Sequence, residues 1–201
     1  GKGALVHSHA NHIGPMGVTG STSANNMAAE ADVVLAIGTR LQDFTTGSWT
    51  CFRHDAQFVS INAARYDALK HRAIAVVGDA KVAMEELIPA MKSFKVDKAW
   101  TDKGKSEMAI WNKAVDGYKA PTNAPVATYG QIVGLVNDRA GVRDCVIGAA
   151  GGLPGELNKV WRIKSVNTFD VEYGFSCMGY GVAGGWGAAM ADPTRDTIVM
   201  V

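Results

Sequence analysis

Short apolar runs of strand length, each stopped by glycine or asparagine and separated by helix-forming sequence, constrain this chain more than any other feature. Asp32-Val33-Val34-Leu35-Ala36-Ile37-Gly38, Phe58-Val59-Ser60-Ile61-Asn62 and Ile74-Ala75-Val76-Val77-Gly78 share the form. A continuous apolar run lacks the alternation of a strand with one wet face, so it predicts a parallel strand buried on both sides. Thr22 to Ala31 is Ala-rich and helix-prone and feeds into the first run. Asp79 is placed to cap a helix whose Met84, Leu87, Ile88 and Met91 recur at helical spacing on one face. Strands alternating with helices predict an α/β fold on a parallel sheet.

The character changes from Phe94 to Tyr118, where alternating lysines and acids accompany Trp100, Met108, Ile110, Trp111 and Val115. That pattern predicts a solvated helix lying across a domain surface. Ala120-Pro121-Thr122-Asn123-Ala124-Pro125 has the composition of an interdomain linker. The expected division is a first domain over 1–119, a linker over 120–127 and the opening part of a second domain over 128–201. In that second unit Thr128-Tyr129-Gly130-Gln131 has the capping-box form, with Tyr129, Ile132, Val133 and Val136 on one helical face. Cys145-Val146-Ile147-Gly148 is the next apolar strand, Ile163 to Phe169 is a candidate strand, and Thr197 to Val201 reads as a last one. Gly1-Lys2-Gly3 opens without Met and the chain closes inside that apolar run, so it reads as a piece of a longer protein.

With 47% hydrophobic and 19% charged residues, the 201-residue chain has ample material for a packed core and is not a disordered activator. Twenty Lys and Arg against nineteen Asp and Glu leave +1, which excludes a bulk basic field for nucleic acid or anionic lipid. No apolar run approaches the roughly 20 residues that span a bilayer, so no membrane partner is expected. Cys51, Cys145 and Cys177 show no CxxC spacing and no preceding signal peptide, which fits reduced thiols in the cytoplasm.

The 23 glycines concentrate at residues 14–20, 148–155 and 179–187. Gly179-x-Gly181-x-x-Gly184 matches the dinucleotide fingerprint literally, but no clean strand precedes it, and close packing of a helix on a sheet is the simpler reading. His7-Ser8-His9-Ala10-Asn11-His12 has no Cys, Asp or Glu nearby to complete a metal site and reads as a polar surface loop, while His54 and His71 read as structural. Gly148 to Gly155 is the stronger candidate. A glycine-rich turn after an apolar strand exposes backbone N–H groups at the carboxyl end of a sheet, where an anion can approach the main chain. Cys177 lacks a local His or Asp to activate it and is expected to be a buried small thiol.

Further residues carry a resemblance. Gly14-Pro15-Met16-Gly17-Val18-Thr19-Gly20, Ala36-Ile37-Gly38-Thr39-Arg40, Asp43-Phe44-Thr45-Thr46-Gly47, Val77-Gly78-Asp79-Ala80 and Ser176-Cys177-Met178-Gly179-Tyr180-Gly181 run in an order that resembles thiamine-diphosphate-dependent enzymes of the acetolactate synthase type. Leu41-Gln42-Asp43-Phe44, Gly151-Gly152-Leu153-Pro154-Gly155-Glu156 and Tyr173-Gly174-Phe175-Ser176 narrow the likeness to the branch that opens a trihydroxycyclohexane-1,2-dione ring in myo-inositol breakdown.

The resemblance implies a Rossmann-like central domain, of the kind that holds FAD or another nucleotide in some relatives, followed by the start of a diphosphate-binding domain. It implies thiamine diphosphate and Mg2+ as cofactors, a small cyclic dione as substrate, and a parent that is a homodimer or larger. Gly151, Gly152 and Leu153 would approach the diphosphate. Ser176, Cys177, Met178 and Gly179 would line the aminopyrimidine, with Met178 as the apolar wedge. Leu153-Pro154 stand where acetolactate synthases place polar phosphate contacts, and Cys177 where they place Thr, which argues against acetolactate synthase itself. The activating glutamate is expected upstream of Gly1 and the magnesium ligands just beyond Val201, so the fragment alone is expected to be inactive. The competing expectations are a 2-oxo-acid carboligase or decarboxylase and a non-catalytic nucleotide-binding module using Gly38-Thr39-Arg40.

Overall fold

The computed structural model describes residues 1–201 and contains two three-stranded parallel sheets. In the first unit, α1 (Thr22–Glu30) leads to β1 (Val33–Ile37), a short α2 (Asp43–Thr46), β2 (Gln57–Asn62), a short α3 (Arg65–Ala68), β3 (Ile74–Val77) and α4 (Ala80–Ala90). The strands lie in the order β1-β2-β3. The helix starts follow the capping chemistry. Ser21 Oγ accepts from the Ala24 N–H at 3.1 Å, and Asp79 Oδ1 accepts from Lys81 and Val82.

The first sheet departs from the expectation of strands buried on both sides. One face packs Ala36 and Phe58 against Ala28, Leu41 and Phe52 in a small core. The other leaves Val33, Leu35, Ile37, Ile74 and Val76 exposed, and α4 buries none of its residues. The apolar runs are real strands, yet on that second face the edges stay open and only the centre is covered, where Ile61 of β2, between Ile37 and Val76, is buried.

A long helix α5 (Lys98–Lys119) joins the units. It is not merely a solvated surface helix: Gly104, Met108, Trp111 and Val115 are buried. Their spacing of four, three and four puts them on one stripe, which packs α5 on α1 and on the helices of the second unit. Residues 120–127 form no helix or strand.

The second unit runs α6 (Tyr129–Arg139), β4 (Cys145–Gly148), α7 (Gly152–Val160), β5 (Phe169–Val171), α8 (Tyr180–Ala191) and β6 (Thr197–Met200), with sheet order β5-β4-β6. The capping box at Thr128 and Gln131 forms. The buried face of α6, however, is Gly130, Val133, Gly134 and Asn137, while Tyr129 and Ile132 are exposed. Of the expected face Val133 is buried and Val136 packs against the core, while glycines set the rest of the buried stripe. A Cβ on Gly130 would lie 3.1 Å from the Tyr118 carbonyl oxygen, and one on Gly134 2.5 Å from Lys119 Cγ. Counting apolar side chains misses a face made by the absence of side chains.

β4 is buried throughout, at the centre of a core formed by Val146, Val133, Leu157, Val160, Trp161, Ile163 and Met200 with Met108, Trp111 and Val115 of α5. The strand expected over Ile163 to Phe169 begins only at Phe169. Asn167 takes a left-handed φ of 58°, and Thr168 Oγ1 donates to the Ser165 carbonyl at 2.5 Å, so these residues turn instead of extending. No helix is long and apolar enough to cross a membrane.

Candidate functional site

Because β4, β5 and β6 are parallel, their carboxyl ends share one edge of the sheet. From β4 the chain moves to β5 on one side, then crosses to β6 on the other. That reversal places a topological switch point beside the carboxyl end of β4, where open α/β sheets bind ligands.

Two helix N-termini meet this edge. The turn Ala149-Ala150-Gly151 connects β4 to α7, and Gly151 adopts φ 121° and ψ −175°, a region that only glycine enters readily. No side chain caps α7, so the first backbone N–H groups remain for a ligand. Pro154 lacks an N–H and is buried. Leu153 is half-buried and packs against the core, which leaves its main chain but not its side chain to contribute.

The second N-terminus is that of α8. Gly179, at φ 90°, caps it without a side-chain bond, and Gly181 brings it close to β4 and β6. A Cβ on Gly181 would stand 2.4 Å from Val201 Cγ1 and 3.8 Å from Ala149 Cβ. A Cβ on Gly185 would stand 2.3 Å from Val199 Cγ2. Of the glycines that match the dinucleotide fingerprint only Gly181 packs on the sheet, and with Gly185, which lies outside the fingerprint, it seats α8 there. Both N-termini direct backbone N–H groups and positive dipole ends toward the same edge, an arrangement suited to a diphosphate.

The loop from β5 to α8 carries Ser176, Cys177, Met178 and Gly179. Met178 is 83% exposed at this edge, an apolar side chain with nothing from this chain packed over it. Cys177 is exposed, contrary to the expectation of a buried thiol. Its loop leaves the sheet, and its backbone N–H, not its sulfur, is tied inward. Cys51 and Cys145 are free thiols raised in pKa by burial.

Sequence reading missed what shapes this loop. The Glu172 carboxylate accepts from the backbone N–H groups of Phe175 and Cys177, each at 2.8 Å. Those two bonds, that of Cys177 first, hold its carboxyl below the usual carboxylate range. Arg40 Nη2, from the loop after β1, donates to the Gly174 carbonyl at 2.6 Å across 134 positions of sequence. Glu172 had a local signal, an acid at a strand end before a glycine-containing loop. Arg40 had none.

Between the units lies a cleft of about 600 Å³ whose walls include Gly1–Ala4, His12, Thr39 and Tyr173. Lys2 Nζ donates to the Asn158 carbonyl at 2.5 Å, and burial lowers Lys2 to about 7. His7 and His12 do converge, with ring centroids 5.4 Å apart, but no group of three His, Cys, Asp or Glu is placed to hold a metal. The residues present fit a diphosphate through their main chain. They do not by themselves assemble a magnesium site.

Comparison with known proteins decides the family. Residues 1–87 match the thiamine pyrophosphate enzyme central domain, and residues 149–201 match the thiamine pyrophosphate enzyme C-terminal TPP binding domain. This chain belongs to the thiamine pyrophosphate enzymes. Curated relatives named 3D-(3,5/4)-trihydroxycyclohexane-1,2-dione hydrolase, from Bacillus anthracis (strain A0248), Bacillus cereus (strain AH820) and Bacillus thuringiensis (strain Al Hakam), are 34% identical over 226 residues. The alignments take in 100% of this chain and 35% of each relative, so the chain spans about a third of their length.

Proposed function

We propose that this chain supplies the central domain and the opening of the diphosphate-binding domain of a thiamine-diphosphate-dependent hydrolase. The parent would cleave the ring C–C bond of trihydroxycyclohexane-1,2-dione to 5-deoxyglucuronate in myo-inositol catabolism. The pair of uncapped helix N-termini at the carboxyl edge of β4, β5 and β6 carries the cofactor part of this reading. The names of the relatives support the substrate part.

In this proposal the domains are 1–119 and 128–201, joined by 120–127. The backbone of Gly151, Gly152 and Leu153 receives the diphosphate. Ser176, Cys177, Met178 and Gly179 line the aminopyrimidine, with Met178 bearing on it as an apolar wedge and excluding water from that side. Bound there, thiamine diphosphate supplies the carbon nucleophile and electron sink that C–C cleavage requires. This chain's own work is to bind and orient. Its helix termini neutralise the diphosphate charge without a side-chain cation, and its glycines let the main chain come close. Mg2+ and the proton-transfer group would come from residues outside this chain. The parent would be a cytoplasmic homodimer or larger, with a small cyclic dione as its partner and neither nucleic acid nor membrane.

Ring opening by the full-length protein, with thiamine diphosphate and magnesium each supplied or withheld, tests the reading. Turnover that needs both is expected. A folded, cofactor-loaded protein that leaves the dione intact but consumes pyruvate would replace the hydrolase reading with a 2-oxo-acid carboligase or decarboxylase.

A further inference from the structure

The segment Ser176–Gly179 is the least self-supporting part of the proposed site, yet it has a defined shape. Ser176 adopts a left-handed φ of 53° and Gly179 one of 90°, so two reversals of handedness fall within four residues. Serine in that region carries a backbone cost, which something must offset. Neither Phe175 nor Met178, at 84% and 83% exposed, is packed into the core. Hydrogen bonding has to do what packing does not.

Glu172 is placed to do it. Its own backbone N–H donates to the Gly148 carbonyl at 3.2 Å, anchoring it beside the carboxyl end of β4. From that point Oε1 accepts from the Phe175 N–H and Oε2 from the Cys177 N–H. Each oxygen therefore holds one side of the turn, an arrangement that an ionised carboxylate, having only acceptors, satisfies best. The fit is tight. A Cβ on Gly174 would lie 2.8 Å from Glu172 Oε1.

Arg40 holds the same loop from the other unit. Besides its bond to the Gly174 carbonyl, its guanidinium lies 5.4 Å from the Phe175 ring centroid. The Arg40 carbonyl in turn accepts from Lys70 Nζ at 2.9 Å, and Lys70 pairs with Asp67 at 2.6 Å. Phe44, also in the first unit, stacks on Tyr173 with centroids 5.8 Å apart. The loop after β1 is thus braced within the first unit before it reaches across.

We propose that Glu172 and Arg40 are positioning residues for the cofactor. Glu172 shapes the Ser176–Gly179 segment and Arg40 fixes Gly174 and Phe175, which lead into it, against the first unit, so that the surface presented to the aminopyrimidine is formed before the cofactor arrives. The proposal rests on the reading of this segment as a thiamine diphosphate contact. Preorganisation of this kind appears in affinity, because a segment that is already ordered loses less conformational freedom on binding.

The test uses the full-length apoprotein. Thiamine diphosphate is titrated by calorimetry, and the rate of Cys177 alkylation by iodoacetamide is followed by peptide mass mapping with and without cofactor. In the unmodified protein the cofactor should bind and should protect Cys177. Glu172→Gln replaces one acceptor oxygen by an amide that cannot accept, and Arg40→Ala removes the brace. Each should raise the dissociation constant about tenfold, the factor worth about 1.4 kcal/mol, and should speed Cys177 alkylation in the apoprotein. At saturating cofactor kcat should return close to its original value, which separates a positioning role from a catalytic one.

Gly174→Ala pushes on the Glu172 carboxylate without altering either residue and should behave like Glu172→Gln, which keeps the proposal testable if one variant fails to fold. Folded variants that bind the cofactor as the unmodified protein does, with unchanged alkylation rates, overturn the positioning role while leaving the site assignment standing. An unmodified protein whose Cys177 gains no protection from bound cofactor overturns the assignment of the segment and this proposal with it.

Discussion

Replacing Gly151 by alanine separates the backbone shape of the β4–α7 turn from every other feature of the site. Gly151 has φ 121° and ψ −175°, and the nearest neighbour of an added Cβ would be Pro154 Cδ at 3.9 Å. There is room for the methyl group, so the cost is conformational and amounts to roughly 1–3 kcal/mol. For a domain of this size each kcal/mol moves Tm by about 2–4 °C, so a turn that keeps its shape should lower Tm by roughly 2–12 °C. A turn that relaxes should instead lose affinity for thiamine diphosphate, tenfold for about each 1.4 kcal/mol. Gly78→Ala is the control. Gly78 follows β3 with nothing within 4 Å of an added Cβ and no left-handed φ, and the substitution should leave stability unchanged or raise it by about 0.4–1 kcal/mol. Thermal unfolding of this chain reads the first channel, and calorimetric titration of the full-length protein reads the second. A Gly151→Ala protein with both Tm and affinity unchanged refutes the claim that this turn requires glycine.

Gly185→Ala should destabilise despite placing a better helix former in α8. Overpacking against Val199, 2.3 Å away, costs about 1–3 kcal/mol and helix propensity returns about 1, so a higher urea midpoint would refute the close seating of α8. Asn137 is 2% exposed and exchanges two hydrogen bonds with the Arg162 backbone, at 3.1 and 3.0 Å. Asn137→Ala orphans a buried donor and acceptor and should cost roughly 2 kcal/mol or more by denaturant titration. Stability should also rise with pH over two windows. Burial puts Lys2 at about 7, and burial together with Arg162, His12 and Lys2 puts His7 at about 4. Both bases are easier to deprotonate folded than unfolded, so the unfolded chain binds more protons between each folded value and its ordinary 10.5 or 6.5. Urea midpoints should climb from pH 4 to 6.5 and again above 7, until the raised thiols of Cys51 and Cys145 begin to oppose the rise. Lys2→Met should abolish the upper rise and shorten the lower one, because the Lys2 charge helps to lower His7.

Local chemistry announced much of this molecule before any contact was known. Ser21, Asp79 and the Thr128–Gln131 pair act within three residues of themselves, and the apolar runs at Val33–Ile37 and Cys145–Gly148 form strands wherever they find partners. The Gly148–Gly155 turn was legible for the same reason, since a strand ending in glycines presents its main chain irrespective of distant sequence. The family was indicated separately, by the resemblance that Gly14–Gly20, Ala36–Arg40 and Ser176–Gly181 carry.

What the tertiary structure decided depends on partners far away in sequence. Whether an apolar run is buried is settled by what covers it, and the first sheet keeps the edges of one face open whereas β4 is buried throughout. The apolar residues of α5 form a core stripe only because the second unit is there to receive Met108, Trp111 and Val115. The faces of α6 and α8 are set by glycines, whose contribution is the space they leave for a neighbour that sequence does not specify. Arg40 reaches the β5–α8 loop for that reason too: a long, charged side chain can reach many acceptors, and only the packing of the two units selects the carbonyl of Gly174.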